Sequence, residues 1–267
     1  MTDLQVVWPK RWVADEFEAA GVSTRWHMGL MTTVAQTGPI WWATEHAARS
    51  IAAGNRVFLT APNAEDLVAL PYEFLKRDVR IVTMGELADW KSVRFVKSAD
   101  SKIDGPGAIG LAMVCEPWQW VAGCREIGVP DDLTCLVSDV VEWEKEWRVW
   151  YDGTDVLEIS LYRVGDAAWD EWPAEPVAED VAEFARQAAH CIRQPCVIDI
   201  GVMEDGFAVV ETNPVWSSGP YTSDFAQIFK AIKASYVWAV GGHGRKWVPD
   251  EWLTCQMETR WSHDVDS

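Results

Sequence analysis

VIDIGVMEDGFAVVETNP, from Val197 to Pro214, is a mostly apolar stretch that carries two acids, Asp199 and Glu211, in strand-like surroundings. Between its two apolar runs lies Glu-Asp-Gly at 204–206, which predicts a tight β-hairpin with Gly206 at a positive φ. Strands this apolar are expected to lie in the interior of a domain. A buried acid is costly unless something compensates its charge, so the two acids need a physical reason to be there.

The predicted pairing of the hairpin supplies that reason. A loop of three residues pairs Met203 with Phe207, and in that register Asp199 lies opposite Glu211, with Cβ atoms about 5 Å apart. Asn213 shares their face, because side chains alternate along a strand. Like charges in this position destabilise a sheet unless a cation lies between them. Oxygen ligands at this spacing suit Mg²⁺, which is usually shared with substrate phosphates.

Two alternatives to this magnesium site remain open from the sequence. The hairpin can be an exposed edge with two solvated acids. A two-residue Asp205-Gly206 turn would place Thr212 opposite Asp199 and separate the two acids. In the three-residue register, the other face of the hairpin is wholly apolar and can pack against a helix; it consists of Ile198, Ile200, Val202, Ala208 and Val210.

Composition narrows the class of protein. The chain has 267 residues, of which 49% are hydrophobic, with a formal charge of −18 and a sequence pI of about 4.6. This acidity argues against DNA or RNA as a partner, since a polyanion would be repelled. No apolar run approaches a membrane span and the N-terminus is unlike a signal peptide, so no membrane is expected. The six scattered cysteines, with no Cys-x-x-Cys pair, favour a reduced cytoplasmic protein.

The order of predicted elements indicates an α+β fold. Strand and helix patterns alternate up to about Leu87, including a helix at 44–54 and a strand at 56–61. From Val93 the pattern changes to longer strands, and an amphipathic helix follows at 176–194. We therefore predict an α/β domain at 1–92 and a second, mainly antiparallel domain at 93–267.

A possible phosphate-binding element is RFVKSADSKIDGPGAIG, residues 94–110. Lys97 stands near the end of an apolar strand, from which a lysine can reach a phosphate as a point charge. The loop from Ser98 to Gly107 follows, with Lys102 and glycines whose N–H groups can close over phosphate oxygens. By itself the pattern is weak, because it is not a Walker A motif and a surface lysine in a turn is more common.

A third element is SDVVEWEKEWRVW, residues 138–150, which places Asp139 and Glu146 near the two ends of a strand–turn–strand corner. Considered alone, this corner is as well explained by a charged, solvated turn.

Together, the three elements resemble the ATP-grasp superfamily. FVK at 95–97, SDVVEWEKE at 138–146 and the VIDIG…VVETNP hairpin have the order and content of its motifs, over roughly residues 93–225. The α/β first third matches the domain that precedes the ATP-grasp domain. EWRVWYDG, SLYRV and SSGPY look most like a short, divergent branch found in bacteria and phages.

The resemblance implies roles for individual residues. It implies that Lys97 and Lys102 contact phosphates and that Glu146 binds the ribose. It implies Mg²⁺ ligands at Asp199, Glu211 and Asn213. The hinge that reads adenine corresponds to Asp139, Val140, Val141 and Glu142.

One position departs from the family pattern. ATP-grasp ligases usually carry an arginine two residues before the metal aspartate, where this chain has Val197. Arg148 and Arg163, on neighbouring strands, are the candidates to replace it in catalysis, although both could equally be structural arginines.

The resemblance also implies a reaction. It predicts an ATP-dependent ligase that phosphorylates a small-molecule or peptide carboxylate and then joins it to an amine, with release of ADP and phosphate. Positioning and cations are what such phosphoryl transfer chiefly needs. Two alternatives are a kinase that stops at phosphorylation and a nucleotide-binding regulatory module without ligase chemistry.

Overall fold

The computed structural model describes residues 3–8, 10–27, 40–43, 59–99, 112–165, 167 and 177–243. The predicted helix at 44–54 and most of the predicted strand at 56–61 lie outside these residues. The described part is α+β, as the sequence predicts.

Within the described residues, the strands are β1 Leu4–Val7, β2 Thr24–His27, β3 Ile40–Ala43, β4 Val79–Thr83, β5 Arg94–Ser98, β6 Met113–Cys115, β7 Thr134–Ser138, β8 Lys145–Tyr151, β9 Val156–Val164, β10 Cys196–Met203 and β11 Gly206–Asn213. The α-helices are α1 Trp12–Ala19, α2 Ala64–Val68, α3 Tyr72–Leu75, α4 Pro117–Glu126, α5 Glu179–Ile192 and α6 Phe225–Val240, with short 3-10 helices at Gly85–Asp89 and Val215–Ser217.

The chain divides into two compact units that do not follow the order of the sequence. The first unit groups Met1–Pro62, Glu73–Leu75 and Glu142–Trp247, and the second groups Asn63–Tyr72, Lys76–Val141 and Val248–Ser267. The domain boundary at 92/93 concerns the sequence motifs, and it stays a prediction.

Two sheets build the first unit. The strands β2-β1-β3 form a three-stranded parallel sheet, and β11-β10-β8-β9 form a four-stranded antiparallel sheet. One apolar core joins them, because Leu4 and Trp42 of the parallel sheet cluster with Trp150 and Val197 of the antiparallel sheet, together with Ile228 of α6. Burial of these side chains supplies most of the stabilisation that such a core can provide.

Helix α5 covers the antiparallel sheet with the apolar stripe that its sequence predicts. Val181, Ala185 and Ala188 are buried, and Val181 clusters with Trp147 and Leu161 of the sheet. The helix ends where Arg193 adopts a left-handed conformation (φ 59°), which lets the chain turn directly into β10.

The second unit holds one antiparallel sheet in the order β4-β7-β5-β6. Its core packs Val96 and Val137 of the sheet against Trp120 and Val121 of α4 and against Leu87. Pro71 interrupts the helical pattern of 64–77 as predicted, since α2 ends at Val68 and α3 begins directly after the proline.

Several short elements were not predicted. Strands β2, β3 and β6 have only three or four residues each, too few for a period to stand out. Helix α4 contains a Trp-x-Trp pair and Gly123, which are weak helix formers, and it is held by burial of one face. Among the helices that the structure describes, none is both long and apolar enough to cross a bilayer.

Candidate active site

The hairpin β10–β11 reaches the predicted pairing by an unpredicted route. Its turn has two residues, Glu204 and Asp205, and Met203 pairs with Gly206 rather than with Phe207. The predicted three-residue loop is therefore wrong, although Gly206 does have a positive φ, of 102°.

A β-bulge then corrects the register. The register shifts between Asp199 and Ile200, because β11 carries one extra residue, Val210, at that point. Beyond the shift, Asp199 lies opposite Glu211, as predicted, and Val197 lies opposite Asn213. The bulge brings the acids onto one face.

On the turn side of the bulge, the predicted faces are exchanged. Ala208 was expected on the apolar face, but it lies opposite Gly201, on the side of the acids. Val209 takes the position opposite Ile200 and is fully buried. The cause is the shorter turn, because a one-residue change of register moves every side chain to the other face.

Asn213 joins the two facing acids. Its side-chain nitrogen donates to Asp199 Oδ2 at 3.1 Å and to Glu211 Oε1 at 2.9 Å. Asp199 is fully buried, whereas Glu211 and Asn213 are half-buried. The exposed-edge alternative for the hairpin is therefore excluded for Asp199.

Arg148 is the counter-ion of Asp199. It lies directly across from Asp199 in the β8–β10 pairing, and its Nε and Nη2 donate to Oδ1 and Oδ2 at 2.9 and 2.7 Å. The third nitrogen, Nη1, donates to the carbonyl of Gly219 at 3.0 Å. This two-pronged geometry is the strong form of an arginine–carboxylate pair. Sequence analysis named Arg148 for a different reason, and its contact with Asp199 comes from the register of two strands 51 residues apart.

Burial and charge set the protonation of this pair. Burial raises the pKa of Asp199 to about 6, against the opposing effect of Arg148, and the nearby Glu211 and Glu146 add to the rise. Burial lowers the pKa of Arg148, but the charge and hydrogen bonds of Asp199 outweigh that effect, so it is raised overall and the guanidinium stays charged.

Glu146, predicted to bind the ribose, is buried and held by two side chains. Tyr162 donates its hydroxyl to Oε2 at 2.6 Å, and Arg163 donates to Oε1 at 2.7 Å. A second β-bulge explains the double contact: the register of β8 and β9 shifts between Glu146 and Trp147, so that Tyr162 and Arg163 both lie beside Glu146. Arg163 is thus the partner of Glu146, not of Asp199.

Two tyrosines surround Arg148, and the sequence analysis did not select either. The guanidinium carbon lies over the rings of Tyr162 and Tyr221, at 5.1 and 4.7 Å from their centroids. The rings stack on each other at 4.8 Å. Both belong to the SLYRV and SSGPY segments that drew attention as a family resemblance, but neither segment has a pattern that places an aromatic ring on an arginine.

The predicted hinge falls at the junction of two sequence-separated elements. In the second unit, strand β7 ends at Ser138, and the Asp139 carboxylate accepts from the N–H of Asp78 at 3.1 Å and lies 3.7 Å from Arg94. Val140 is exposed and Val141 half-buried in the same unit. Glu142 is exposed and begins the last segment of the first unit.

Lys97 lies in the second unit, half-buried on β5 opposite Leu136 of β7, as its position in an apolar strand predicts. Lys102 and the glycines of the loop lie outside the described residues. The structure thus brings Asp199, Glu211, Asn213 and Arg148 together in the first unit, with Glu146 and Arg163 beside them through Tyr162.

The donor set around Asn213 fits a hard cation. Two carboxylates and an amide oxygen are ligands that Mg²⁺ accepts. The amide nitrogen of Asn213 already lies within hydrogen-bond distance of both acids, so a positive charge has a place between them. A flip of the amide would turn its oxygen there instead. Among the described residues, no three His, Cys, Asp or Glu side chains converge as a metal cluster, so a cation here would depend on Asn213 and on bound phosphates.

Comparison with known proteins agrees with this fold. Residues 74–231 match the model of an ATP-grasp domain family, the second family of its clade. The match spans more than half of the chain, which therefore belongs to this ATP-grasp family, as its motifs suggested. No curated protein sequence matches the chain.

Solved ATP-grasp proteins share the architecture at low sequence identity. The carboxyaminoimidazole ribonucleotide synthase of Aspergillus clavatus, complexed with ATP, is 16% identical over 86% of this chain and 76% of its own, with a TM-score of 0.52. The D-alanine–D-alanine ligase of Bacillus anthracis, also complexed with ATP, is 10% identical over 89% and 98%, with a TM-score of 0.50. The L-amino acid ligase of Bacillus licheniformis is 11% identical over 87% and 74%, with a TM-score of 0.50. These similarities establish the fold.

Proposed function

We propose that this protein is an ATP-dependent ligase that joins a carboxylate to an amine through an acyl phosphate and releases ADP and phosphate. The observation that carries the proposal is the facing pair of Asp199 and Glu211, bridged by Asn213 in an ATP-grasp domain. The names of the ligases with the same fold support the reaction type. We expect small-molecule or peptide substrates in the cytoplasm, without nucleic acid or membrane.

Asp199, Glu211 and Asn213 would hold Mg²⁺. Bound there, the ion would neutralise phosphate oxygens and orient them for transfer. The facing carboxylates leave a net negative charge after Arg148 is counted, which favours a cation at Glu211. Asp199 would then be shared between the ion and Arg148.

Arg148 is our candidate for the role of the missing arginine. Val197 is fully buried in the apolar core and has no cationic group. Arg148 places a permanent charge directly beside the aspartate two residues further on. Arg163 is the weaker candidate, because it is partly exposed and donates to Glu146 and to the carbonyl of Gly165.

The nucleotide contacts remain as the motifs imply them. We propose that Lys97 and Lys102 contact phosphates and that Glu146 binds the ribose. For Glu146 this requires a ribose hydroxyl to replace one of two existing bonds, to Tyr162 or Arg163. The hinge residues proposed to read adenine with their backbone are Asp139, Val140, Val141 and Glu142.

In the proposed reaction, a substrate carboxylate oxygen attacks the γ-phosphorus of ATP, and the bond to the β-phosphate oxygen breaks to release ADP. The amine then attacks the acyl carbon, loses a proton to solvent or a base, and displaces phosphate. Cations near the transferring group lower the barrier because negative charge is spread over its oxygens in the transition state. The loop from Ser98 to Gly107 would exclude water from the acyl phosphate.

A regulatory module without ligase chemistry is the second candidate, and one observation favours it. Arg148 donates to both oxygens of Asp199, and this pair neutralises the residue on which the metal depends. A domain that no longer binds metal would be stable in this arrangement.

Release of ADP and phosphate in the presence of Mg-ATP tests the proposal. The probe substrates are the common L-amino acids, D-alanine and their dipeptides, added singly and in pairs, because each carries both a carboxylate and an amine. Glu211→Gln is the control for contaminating ATPase activity. Binding of Mg-ADP is measured in parallel by equilibrium dialysis.

Three outcomes separate the candidates. A ligase releases ADP only when carboxylate and amine are both present, and an amide product forms. A kinase releases ADP with the carboxylate alone and accumulates a phosphorylated product. Nucleotide binding without stimulated turnover, across the panel and further carboxylates, would contradict the ligase and favour the regulatory module.

A further inference from the structure

The segment from Ser218 to Ser223 lies across Arg148 and is fastened on both sides of it. Before Tyr221, the carbonyl of Gly219 accepts from Arg148 Nη1. After it, the Thr222 hydroxyl donates to the carbonyl of Leu161 at 3.2 Å. Ser223 Oγ is bonded to Trp150 Nε1 at 2.9 Å and to Ser160 Oγ at 2.7 Å. All of these anchors lie on β8 and β9, the strands that carry Arg148 and Tyr162.

Tyr221 has an unfavourable backbone conformation between these anchors. Its φ is +48°, in the left-handed region that bulky residues seldom adopt, at a cost of order 1 kcal/mol. Such a conformation persists only where the surroundings require it, and it is common at functional sites. The effect here is to bring the Tyr221 ring over the guanidinium of Arg148.

Tyr162 reaches the same guanidinium from a second unusual position. It is the extra residue of the β-bulge on β9, and bulges near active sites commonly re-aim a side chain. Its ring stacks on Tyr221 with an angle of 17° between the planes, while its hydroxyl donates to Glu146. Two independent departures from regular backbone thus converge on one arginine.

We propose that Tyr221 and Tyr162 are positioning residues that hold the Arg148 guanidinium in place for phosphoryl transfer, an inference that rests on the proposed function. Arg148 must share Asp199 with a cation when the site is loaded, so it needs other contacts to keep its position. The stacked rings attract the guanidinium through their faces, and the Gly219 carbonyl fixes its Nη1.

The ring faces, and not the hydroxyl groups, carry this role for Tyr221. Burial raises the pKa of Tyr221 and of Tyr162, with Asp199 adding to the rise, so both rings stay neutral at working pH. The Tyr162 hydroxyl has a second role, because it links the ring on Arg148 to the carboxylate proposed to bind the ribose. Loss of that hydroxyl should alter nucleotide affinity, whereas loss of the Tyr221 hydroxyl should not.

The test compares ring-retaining with ring-removing variants. Tyr221→Phe and Tyr162→Phe keep the ring, and Tyr221→Leu and Tyr162→Leu remove it. Tyr151→Leu is the matched control, since Tyr151 is a buried tyrosine on the same strand as Arg148, and neither of the two rings described over that arginine is its own. For each, kcat and the KM for ATP are measured per folded molecule, together with the melting temperature.

A second readout does not depend on turnover. In the ¹⁵N spectrum, the Arg148 Nε–H signal, assigned by its disappearance in Arg148→Lys, reports how firmly the guanidinium is held. Its exchange with water should accelerate at least tenfold in Tyr221→Leu and remain near the parent rate in Tyr221→Phe and in Tyr151→Leu.

We expect Tyr221→Leu and Tyr162→Leu to lower kcat about 10- to 100-fold, the range of a lost positioning contact. Tyr221→Phe should keep kcat within about twofold, and Tyr162→Phe should raise the KM for ATP more than it lowers kcat. The proposal is overturned if Tyr221→Leu and Tyr151→Leu lose equal stability while both keep the parental kcat and Arg148 exchange rate. If the parent protein turns over no ATP, the proposed function fails, and the Arg148 signal still decides whether the tyrosines hold it.

Discussion

The balance of charge around Asp199 decides what the candidate site can bind. Asp199, Glu211 and Glu146 are accompanied by two arginines, Arg148 and Arg163, so one negative charge remains. The two arginines form their described ion pairs with Asp199 and Glu146, which leaves the residual charge nearest to Glu211. A half-buried site with residual negative charge attracts a small cation.

Glu211→Gln removes this residual charge without changing shape. We expect ATP turnover to fall by about 100-fold, in line with losing one charged contact to the reacting group. The metal-free variant should melt at the parent's temperature or above it, since repulsion between Asp199 and Glu211 is relieved. Turnover at a range of Mg²⁺ concentrations and a thermal melt check both. Normal turnover with Mg²⁺ would place the metal site elsewhere.

Arg148→Met should destabilise the fold as well as lower kcat. It leaves the Asp199 carboxylate buried without a counter-ion, at a cost of about 3–5 kcal/mol near pH 7. Burial already raises the pKa of Asp199 to about 6 beside Arg148, far above its unfolded value, so the folded state takes up the proton first. The loss is therefore greatest above the folded pKa and shrinks as the pH falls towards 5.

Urea unfolding of Arg148→Met between pH 5 and 8 measures this trend, with Arg163→Met as the control. The Arg163 side chain is 46% exposed, and its loss should cost no more than about 1 kcal/mol. A stability loss for Arg148→Met that stays constant across this pH range would contradict the account of Asp199.

At the scale of elements, the bulge in β11 gives the hairpin its chemistry. With the two-residue turn and no bulge, Glu211 would lie opposite Ile198, on the apolar face. One extra residue, Val210, returns it to Asp199. A local irregularity thus converts an ordinary amphipathic hairpin into a facing pair of acids.

Deletion of Val210 tests the role of the bulge. The shortened strand can pair Val209 with Ile200 and Glu211 with Asp199 without a bulge, so we expect a folded protein that keeps ATP turnover within about tenfold of the parent. Deletion of Thr212 is the matched control: it keeps the bulge but moves Asn213 to the other face. Its turnover per folded molecule should be lost, and equal loss in both deletions would show that the bulge matters for more than register.

Strand β10 also depends on Gly201, because a Cβ there would lie 2.2 Å from the ring of Trp143. Gly201→Ala should destabilise the protein by about 1–3 kcal/mol, as overpacking does. Adding Trp143→Ala should recover most of this loss, and a double-mutant cycle by urea unfolding measures the coupling. Independent, additive effects of the two substitutions would contradict a close contact.

At the scale of the whole molecule, the core of the first unit is assembled from distant parts of the sequence. Leu4 and Trp42 lie in the same apolar cluster as Trp150, Val197 and Ile228. The N-terminal strands therefore complete the hydrophobic core in which Asp199 and Arg148 are embedded, whatever their origin as a separate sequence domain.

A fragment of residues 93–267 should for this reason not fold stably. It would expose the apolar surface of Trp150, Val197 and Ile228 that the N-terminal strands cover. We expect low solubility, rapid proteolysis and no cooperative thermal transition, in contrast to the full chain under the same conditions. Addition of residues 1–92 in trans is the control for a specific loss of contacts. A cooperative transition of the fragment alone would show that the predicted boundary at 92/93 is also a folding boundary.

The sequence by itself determined the features that depend on local pattern. Alternation along the strands and the position of Gly206 predicted the hairpin, and apolar periodicity predicted α5, because both report on neighbours a few residues apart. The motif order predicted the ATP-grasp family, which the match over 74–231 confirms. Short elements such as β2, β3 and β6 escaped, since three or four residues cannot establish a period.

Only the tertiary structure decided how the charges are partnered. The pairing of Arg148 with Asp199 depends on which strand lies beside β10, and that of Arg163 with Glu146 depends on a bulge. The stacking of Tyr221 on Arg148 joins residues that lie far apart in the chain. Such contacts follow from sheet order and register, which packing of the whole core selects, and no local sequence pattern encodes them.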